Sequence, residues 1–526
     1  MKYTALTIGP IISSLGLARK TREIWAASYF FSYFMQLVLE NLKENGIVDN
    51  VILPYPNKEE LSDSLGLEQS DKTGLFPDRI MLQSEEGLYT KLEGAVTQAI
   101  ATSSDEFKVQ QNYLKDYLSI RMLEINSSEL TSNNAVFELN SLLAAMELQG
   151  QYIPTDKLKF VEMLEKILFT KLYKSKFGSE GYPSIIEIAT ERITFTDTEK
   201  ELFIELKKNT NDDEDAIWEK LLEIERHEKA RVKAQDDSFT VNDCSVYKKL
   251  KLSNKYIAIV QADGDNVGKL IKAIYESATP EAIVEFSKSL SKFALKAADV
   301  IETWGGKTIY AGGDDLLFFA PLENHQNKYI TDLINEIDAV FAEQILNNEK
   351  LSSYLSNPEP SMSYGVSISY YKYPMHEAVN NAQYLLFSMA KQTETKNAIA
   401  FRLLKHSGQD YTTILHKNEK LYKEHLHDLL CLSDGLDFNS LLYNLNRDSF
   451  ILKNLLAANN RDITRLNSYF TNFYKKEIHV GSEAFIEKLK TILFDSFSDT
   501  NDFDITLNQV KGVLQLVKFL NTKKHN

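Results

Sequence analysis

Cysteine is scarce in this sequence: Cys244 and Cys431 are its only two among 526 residues. Two thiols cannot form a four-thiolate zinc site, and they do not provide a disulfide framework. A chain with so little cysteine suits a reducing compartment. We therefore expect a cytoplasmic protein that carries no zinc.

Long hydrophobic runs are also missing. The most apolar helical stretch, AASYFFSYFMQLVL at 26–39, falls short of the roughly 20 residues that span a bilayer. Arg22, Glu23 and Glu40 flank it. The N-terminal YTALTIGP stops at Gly9-Pro10 and lacks the layout of a signal peptide. We therefore expect a helix packed in a core and no contact with membranes.

Acidic residues outnumber basic ones, and the formal net charge is −15. Phosphates are repelled by such a chain on average, so broad non-specific binding of nucleic acid is disfavoured, although a local basic groove remains compatible with it. The hydrophobic fraction of 43% and the charged fraction of 25% are typical of globular proteins. The length predicts roughly three or four domains of about 150 residues.

The first half of the chain mixes strand and helix patterns. In order, the predicted elements are a strand at 3–8, a helix from about 14 to 44, a strand at 50–56, helical patterns over much of 88–125 and 134–175, and a helix start at GYPSIIEIAT (181–190). The charged run at 207–237 is typical of a solvated linker helix, and its end predicts a domain boundary.

The second half has a clearer order. Its predicted elements are a buried strand that opens KYIAIVQADGDNVGKLI (255–271), a helix at 280–303, a strand–turn–strand at 304–321, a helix at 327–346, a strand at 361–371, a helix at 374–391 and a strand at 397–404. This order contains the β-α-β-β-α-β arrangement of a ferredoxin-like fold. The remainder, about 410–526, has helical periodicity and almost no strand signal, and we expect a helical bundle.

Two acidic turns stand out in this second half. Asp263 and Asp265 follow the first strand, and Asp314 and Asp315 form the tip of the hairpin YAGGDDLLFF. In a ferredoxin-like sheet the first strand lies beside the hairpin, so the four carboxylates should meet. They would repel one another unless a cation neutralised them, and such oxygen ligands suit Mg²⁺ or Mn²⁺. We predict a site for two ions about 4 Å apart, as in phosphoryl transfer.

Glycines and lysines complete the predicted nucleotide site. Gly312 and Gly313 permit a positive φ and let a triphosphate approach the backbone. Lys391 ends a helix and Lys396 precedes a strand, where two cations would neutralise phosphates. We expect Asp263, Asp314 and Asp315 to be the catalytic residues.

Simpler interpretations of these motifs stay open. A hairpin capped by aspartates explains an isolated GGDD, and DGDN occurs in ordinary turns and calcium loops. Lys391 alone suits the dipole of a helix C-terminus. DGDNVGKL lacks the spacing of a Walker A loop. The two acidic motifs together, each after a strand, favour a palm-type nucleotidyl site.

At this point a family resemblance is visible. YAGGDD, DGDNVG and the stretch YPMHEAVNNAQYLLFSMAKQTETKNAIAFRLLKHSGQ resemble the large palm subunit of type III-B (Cmr branch) CRISPR effector complexes. IGPIISSLGLARKTREIWAASYFFS and GYPSIIEIAT resemble further signatures of that family. The resemblance covers about residues 1–410. It implies an α+β fold with two ferredoxin-like palm domains, of which only the second holds metal, plus helical insertions and a C-terminal helical bundle.

The resemblance also implies domain limits, and this chain departs from the family pattern in two features. We expect a degenerate, substrate-binding first palm at 1–130, a helical domain at 131–244, the second palm at 245–408 and a C-terminal helical domain at 409–526. Many relatives begin with a His-Asp nuclease domain, and here the palm signature starts near residue 4, so we expect that domain to be missing. A four-cysteine zinc knob, common between the palms of relatives, is also not expected.

One departure concerns the acceptor. The family usually has Pro-Asn-Arg in a loop of the first palm, and this chain has Pro77-Asp78-Arg79. Asp78 would repel a second triphosphate and attract a cation. Relatives without the nuclease domain include enzymes that join AMP from ATP to S-adenosylmethionine, so we favour that product over cyclic oligoadenylates. The alternative for Asp78 is an exposed carboxylate paired with Arg79 or Lys72.

Arg22 and Ser28 of the first palm are weaker candidates for holding the acceptor, and core-facing helix residues explain them equally well. The resemblance implies ATP as substrate and partners in an effector complex with guide and target RNA. Two other functions remain open. In the first, the chain would be a catalytically silent scaffold subunit. In the second, it would be a stand-alone cyclase of the GGDEF type, and the second aspartate and the additional domains disfavour this cyclase.

Overall fold

A computed structural model of the chain describes residues 1–54, 73–131, 134–149, 182–183, 185–191, 252–277, 280–433, 436, 439–456, 463–473, 482–497 and 503–521. The predicted linker helix at 207–237 lies outside the described residues, as do most of the predicted helical domain at 131–244 and the residue Lys72.

The N-terminal region forms an antiparallel sheet covered by helices. Its described elements are β1 (Lys2–Gly9), α1 (Ile11–Leu15), α2 (Thr21–Glu44), β2 (Val51–Leu53), β3 (Arg79–Ser84), α3 (Tyr89–Glu106), α4 (Gln111–Tyr117), β4 (Ser119–Asn126) and α5 (Ala135–Glu147). The strand order is β2-β3-β1-β4. This is the ferredoxin-like arrangement, in which the first strand lies between the third and the fourth.

Two local predictions in this region were wrong. The helix expected from about 14 to 44 is two helices, α1 and α2, because residues 16–20 leave the helical conformation. The helical pattern that extended to residue 125 ends earlier, and Ser119–Asn126 is the strand β4. Every residue of β4 pairs with a residue of β1, from Lys2 opposite Asn126 to Gly9 opposite Ser119. This long-range pairing outweighs the local helical pattern.

A short helix, α6 (Ile185–Ala189), precedes the second sheet. The elements that follow are β5 (Tyr256–Asp265), α7 (Val267–Glu276), α8 (Pro280–Trp304), β6 (Lys307–Gly312), β7 (Asp315–Ala320), α9 (Ile330–Phe341), β8 (Ser361–Tyr370), α10 (Met375–Tyr384), β9 (Ala398–Leu404) and β10 (Asp410–His416). The strand order is β10-β9-β8-β5-β7-β6, so β5 lies beside the β6–β7 hairpin as predicted. Proline at the start of α8 suits the first helical position.

The strand β10 corrects a further prediction. Residues from about 410 onwards were expected to be helical, yet Asp410–His416 pairs antiparallel with β9 along its whole length. The second sheet therefore extends beyond the predicted domain limit at 408, and β10 is its edge strand. Its sequence, DYTTILH, is short and polar enough to hide the strand signal.

Helices follow to the end of the described chain. They are α11 (Leu426–Leu432), α12 (Asn439–Arg447), α13 (Ser449–Leu456), α14 (Ile463–Phe473), α15 (Glu483–Ser496) and α16 (Phe503–Asn521). Buried leucine, valine and phenylalanine side chains of these helices join the core on one face of the second sheet. Among the described residues, no helix combines the length and apolar character needed to cross a membrane.

The two sheets share a second core. Ile257, Ile259 and Phe319 of the second sheet belong to one buried cluster with aromatic residues of α2, including Phe30 and Phe34. Burial of each such side chain contributes on the order of 2 kcal/mol. Backbone contacts continue this packing, since the Ala311 N–H donates to the Gly74 carbonyl at 2.8 Å. The hairpin of the second palm therefore lies against the loop that precedes β3.

Candidate active site between the two palms

The acidic turn at the end of β5 is held by hydrogen bonds. Asp265 is fully buried, and its Oδ2 accepts from Ser361 Oγ at 3.1 Å, Ser363 Oγ at 2.6 Å and the Asn397 N–H at 2.9 Å. Its Oδ1 receives no hydrogen bond from a described residue and lies 3.9 Å from Lys391 Nζ. One oxygen of Asp265 is thus fixed by hydrogen bonds, and the other has none from the described residues.

Lys391 contacts both ends of this turn. Its ammonium forms an ion pair with Asp263 and donates to the Gly264 carbonyl at 2.8 Å. The residue lies in a short turn after α10, on the same side of the sheet as Asp263. A lysine therefore lies close to the carboxylates, as predicted, and it is paired with Asp263.

The hairpin tip reaches the acidic turn. A side-chain carbon placed on Gly264 would lie 2.5 Å from Asp314 Oδ2 and 2.5 Å from Val267 Cγ2. Only glycine permits this approach, so the aspartate of the hairpin packs directly against the backbone of β5. Asp315 lies close enough to Asp263 for that carboxylate to contribute to the raised pKa of Asp315, after burial and the Asp314 carboxylate. The structure brings together the carboxylates of Asp263, Asp314 and Asp315.

The two hairpin glycines serve different purposes. Gly313 has a φ of +72°, which agrees with the predicted positive φ. Gly312 does not have a positive φ, and that part of the prediction was wrong. A side chain at Gly312 would instead overlap the ring of Tyr310, which folds back over the hairpin. Glycine is needed there for space.

Proximity and burial disturb the ionisation of the hairpin aspartates. Burial, together with the neighbouring Asp263 carboxylate, raises the pKa of Asp314 to about 6. Burial and the Asp314 carboxylate raise the pKa of Asp315 well above its usual value. A cluster of this kind needs shared protons or a cation.

The carboxylates do not form a closed metal cage. As the side chains stand, no three carboxylate, imidazole or thiolate groups in the described part of the chain surround one point closely enough to hold an ion. The Asp263 carboxylate is engaged with Lys391 instead. The buried Asp265 Oδ1 without a hydrogen-bond donor and the mutual repulsion of the hairpin aspartates nevertheless fit a divalent cation. Carboxylate oxygens are the ligands that Mg²⁺ and Mn²⁺ prefer.

A cavity of about 760 Å³ opens beside the hairpin, between the palms. Residues of the first palm line one wall, among them Leu75, Phe76 and Asp78, and Gly312, Gly313 and Asp314 line the other together with one face of α8. Its walls combine apolar surface, which suits a flat base, with carboxylates near the hairpin. Such a volume suits a nucleotide-sized ligand.

Asp78 lines this cavity and forms no salt bridge with another described residue. One guanidinium nitrogen of its neighbour Arg79 donates to both carboxylate oxygens of Glu147, at 2.9 and 3.0 Å, and the other donates to Asn140 Oδ1 at 3.0 Å. None of the described ion pairs joins Arg79 to Asp78. Burial raises the pKa of Asp78, and the nearby Arg79 charge opposes that rise. A positively charged ligand group would relieve the cost of this half-buried carboxylate.

Three further candidates lie outside the lining of this cavity. Ser28 is buried and donates to the Ile309 carbonyl at 2.8 Å, so its hydroxyl joins α2 to β6. Arg22 is half-buried in the first turn of α2. Lys396 has a φ of +51° and forms no ion pair within the described residues. The structure does not bring these three to the carboxylates by a direct contact.

Several residues around the site were not predicted from the sequence. Gly264 was not recognised as the point of contact between the two motifs, and Tyr310 was not recognised as the ring over the hairpin. Ser361 and Ser363 hold Asp265. Their signal was available, because SMSYGVSISY places a small polar residue at alternate positions of a buried strand.

Comparisons with known proteins agree with these two regions. Residues 256–400 match the family described as Cas10/Cmr2, second palm domain, and residues 3–108 match CRISPR-associated protein Cmr2, N-terminal. The CRISPR system Cmr subunit Cmr2 of Pyrococcus furiosus is 25% identical over 294 residues, which are 51% of this chain and 31% of that protein. The matched part thus spans about a third of the relative's length.

Solved structures agree with the fold. A type III-B Cmr-beta complex bound to cognate target RNA contains a chain with a TM-score of 0.57 and 13% identity, covering 99% of this chain and 83% of its own. A chain in the apo state of a type III-B Cmr-beta complex has a TM-score of 0.55 and 14% identity. That match covers 98% of this chain and 81% of the other chain. At these identities the likeness concerns the fold alone. Together with the sequence matches, it confirms the resemblance stated from the motifs.

Proposed function

We propose, from the chain's membership of the Cas10/Cmr2 family, that this protein is a palm-type, metal-dependent nucleotidyltransferase. It would be the large subunit of a type III-B effector complex, with guide and target RNA and other subunits as partners. Target RNA would switch on synthesis of an adenylate second messenger from ATP for antiviral defence in the cytoplasm. The observation that carries the proposal is the convergence of Asp263, Asp314 and Asp315 beside an inter-palm cavity.

Asp263, Asp265, Asp314 and Asp315 would hold two Mg²⁺ or Mn²⁺ ions. Bound ions of this kind neutralise the charge that develops on a phosphoryl group and polarise its oxygens. The hydrogen bonds on Asp265 Oδ2 orient the remaining oxygen, so the protein pays little to order that ligand during the reaction.

The lysines after α10 would hold the triphosphate. Lys391 lies on the carboxylates in the described structure, within reach of phosphates bound there. Lys396 lies in the same loop, in a left-handed conformation that lysine rarely adopts. Gly313 turns the hairpin and exposes its backbone to the cavity. These residues would orient the α-phosphorus towards the acceptor and let pyrophosphate leave.

The acceptor is proposed to be S-adenosylmethionine. Its sulfonium and ammonium groups would be attracted by Asp78, whose neighbour Arg79 is engaged by Glu147. The methionine carboxylate would attack the α-phosphorus as the bond to pyrophosphate breaks, and it needs no base because it is already ionised. In the alternative reaction, which makes cyclic oligoadenylates, a ribose hydroxyl attacks and must lose a proton.

The test uses the assembled complex with target RNA, ATP and S-adenosylmethionine, and it identifies products by mass spectrometry. The expected product contains AMP joined to S-adenosylmethionine, and it disappears when Asp314 and Asp315 are both changed to Ala. Products made only of adenylate would replace the proposed acceptor by ATP. Continued synthesis by the double variant would exclude the carboxylate assignment.

A silent scaffold is the second candidate, because one observation favours it. Lys391 forms an ion pair with Asp263. The carboxylate cluster is therefore partly satisfied by the protein itself. Isothermal titration with ATP separates the two functions: binding that requires Mg²⁺ or Mn²⁺ supports the enzyme, and metal-independent or absent binding supports the scaffold.

A further inference from the structure

A buried ion pair lies where the second palm meets the C-terminal helices. Lys417 directly follows β10, and its side chain is 7% exposed. Its Nζ donates to Asp338 Oδ2 on α9 at 2.6 Å and lies 4.9 Å from the centre of the Tyr364 ring. The Tyr364 hydroxyl donates to the other oxygen of Asp338 at 2.8 Å.

This pair is costly, and it forms no hydrogen bond with the carboxylates of the site within the described residues, although the charge of Asp265 is near enough to act on both partners. Removing a lysine and an aspartate from water consumes most of the attraction between them, so such pairs are weak evidence for a gain in stability. Tyr364 follows Ser363 on β8, and its side chain lies on the opposite face of the sheet from the serine that holds Asp265. The pair therefore takes no direct part in the proposed chemistry, and its geometry points to a role in holding the backbone.

Two successive hydrogen bonds connect the backbone of Lys417 to the side chain of Asp265. The Lys417 N–H donates to the Asn397 carbonyl at 3.0 Å, and the Asn397 N–H donates to Asp265 Oδ2 at 2.9 Å. Lys396 and Asn397 have φ values of +51° and +49°. Two consecutive residues in the left-handed region are strained, and they persist only when their surroundings hold them.

We propose that Lys417 and Asn397 are positioning residues that hold Asp265 from the joint with the C-terminal helices. The buried side chain of Lys417 anchors its own N–H, which keeps Asn397 in the left-handed conformation that directs its N–H to Asp265. This inference rests on the proposed function, because it takes Asp265 as a ligand of the metal.

The same path links the C-terminal helices to the site. Helix α16 packs on β10, the strand that leads into Lys417, and Gly512 of this helix lies directly against Thr413. A displacement of these helices relative to the sheet would move Lys417 and, through Asn397, would change how Asp265 is held. The geometry thus gives a physical route by which binding at the C-terminal helices reaches the carboxylates.

The first test measures Mn²⁺ binding to the full chain by electron paramagnetic resonance, without nucleotide. Lys417→Met should weaken Mn²⁺ binding about tenfold, because Asp265 loses an anchored donor. Lys417→Arg keeps the ion pair and should retain most of the affinity. The control is Lys328→Met, which removes a lysine from an exposed pair with Glu336 on the same helix as Asp338. It should leave Mn²⁺ binding unchanged.

The second test does not depend on the buried pair, which the first variant disrupts. Asn397→Gly and Asn397→Ala remove the same side chain, and only glycine adopts a φ of +49° without strain. We expect Asn397→Gly to bind Mn²⁺ like the original chain and Asn397→Ala to bind about five- to tenfold more weakly. When Asp265 is already changed to Asn, Lys417→Met and Asn397→Ala should not weaken Mn²⁺ binding any further.

The outcomes separate this inference from the proposed function. Unchanged Mn²⁺ affinity in folded Lys417→Met and in Asn397→Ala would overturn the positioning role, whether or not the complex makes product. Weakened Mn²⁺ binding in these variants supports it, even if the original complex makes no adenylate product and the proposed function fails. Equal losses in Asn397→Gly and Asn397→Ala would also overturn it, because the side chain and not the backbone would then matter.

Discussion

The two palms have the same strand order and different chemistry. In the first sheet the order is β4-β1-β3-β2, and in the second the same part reads β8-β5-β7-β6. β1 ends at Gly9 and is followed by a proline, whereas β5 ends in Asp263-Gly264-Asp265. The shared topology brings the same two loops together in both domains, and the residues on those loops decide whether a cation is needed.

The comparison gives Asp78 a clear counterpart. It stands one residue before β3, as Asp314 stands one residue before β7, and both line the same cavity. The next residue differs, because Arg79 is paired with Glu147, whereas Asp315 is a further carboxylate beside Asp314 and Asp263. A lone carboxylate suits a cationic ligand group, and a carboxylate cluster suits a metal. The two palms thus present acidic groups to the cavity in different surroundings.

The largest expected effect removes the cluster of the second palm. Changing Asp314 and Asp315 to Ala should lower product formation on the order of a thousandfold or more, because stabilisation of the phosphoryl charge by metal is worth several kcal/mol. Product is measured by mass spectrometry with the assembled complex. Asp105→Ala, an exposed aspartate of the first palm, serves as the control. A loss of similar size in the control would mean that general damage and not the site is being measured.

A second prediction uses a glycine in each palm. Gly264→Ala places a carbon 2.5 Å from Asp314 Oδ2 and should push the hairpin away, lowering the rate by about 30- to 100-fold. Gly74→Ala in the first palm meets its nearest atoms, in Ser28 and Ser32, at 3.3 Å and should cost less than tenfold. Rates for the two variants are compared at matched folded fractions. Equal effects would contradict the direct contact between the two acidic motifs.

A third prediction addresses Asp78. Asp78→Asn removes the charge and keeps the shape, so the KM for S-adenosylmethionine should rise about tenfold while the KM for ATP changes little. Initial rates at varied concentrations of each substrate give the two constants. If both KM values rise together, Asp78 contributes to the cavity as a whole and does not select the acceptor.

The smallest effect is a dependence of stability on pH without divalent metal. Because the pKa of Asp314 is raised to about 6 from its usual 3.8, the folded chain binds the proton more tightly than the unfolded chain. Its contribution to stability is therefore fully present below about pH 4 and is lost as the pH rises through 6. Asp314→Asn should stabilise the metal-free chain at pH 8 by about 1–2 kcal/mol and flatten this dependence. Urea unfolding at several pH values measures it, and an unchanged profile would contradict the prediction.

Much of the fold followed from local patterns. The buried run YIAIV, the Gly-Gly hairpin and the helix at Pro280–Trp304 were predicted because each carries a strong periodic or turn signal. β4 and β10 were missed because their strand character comes from pairing with β1 and β9. The break between α1 and α2 was missed because both helices satisfy the same apolar pattern.

By itself, the sequence determined which side chains carry charge and which elements can form, because these depend on residue type and on neighbours along the chain. It therefore predicted two acidic motifs on adjacent strands and a first palm without them. Only the tertiary structure decided that Gly264 meets Asp314, that Arg79 turns to Glu147, and that Lys417 reaches Asp265 through Asn397. Contacts of this kind join residues far apart in the chain, and they are selected by packing and by the need to pair buried polar groups.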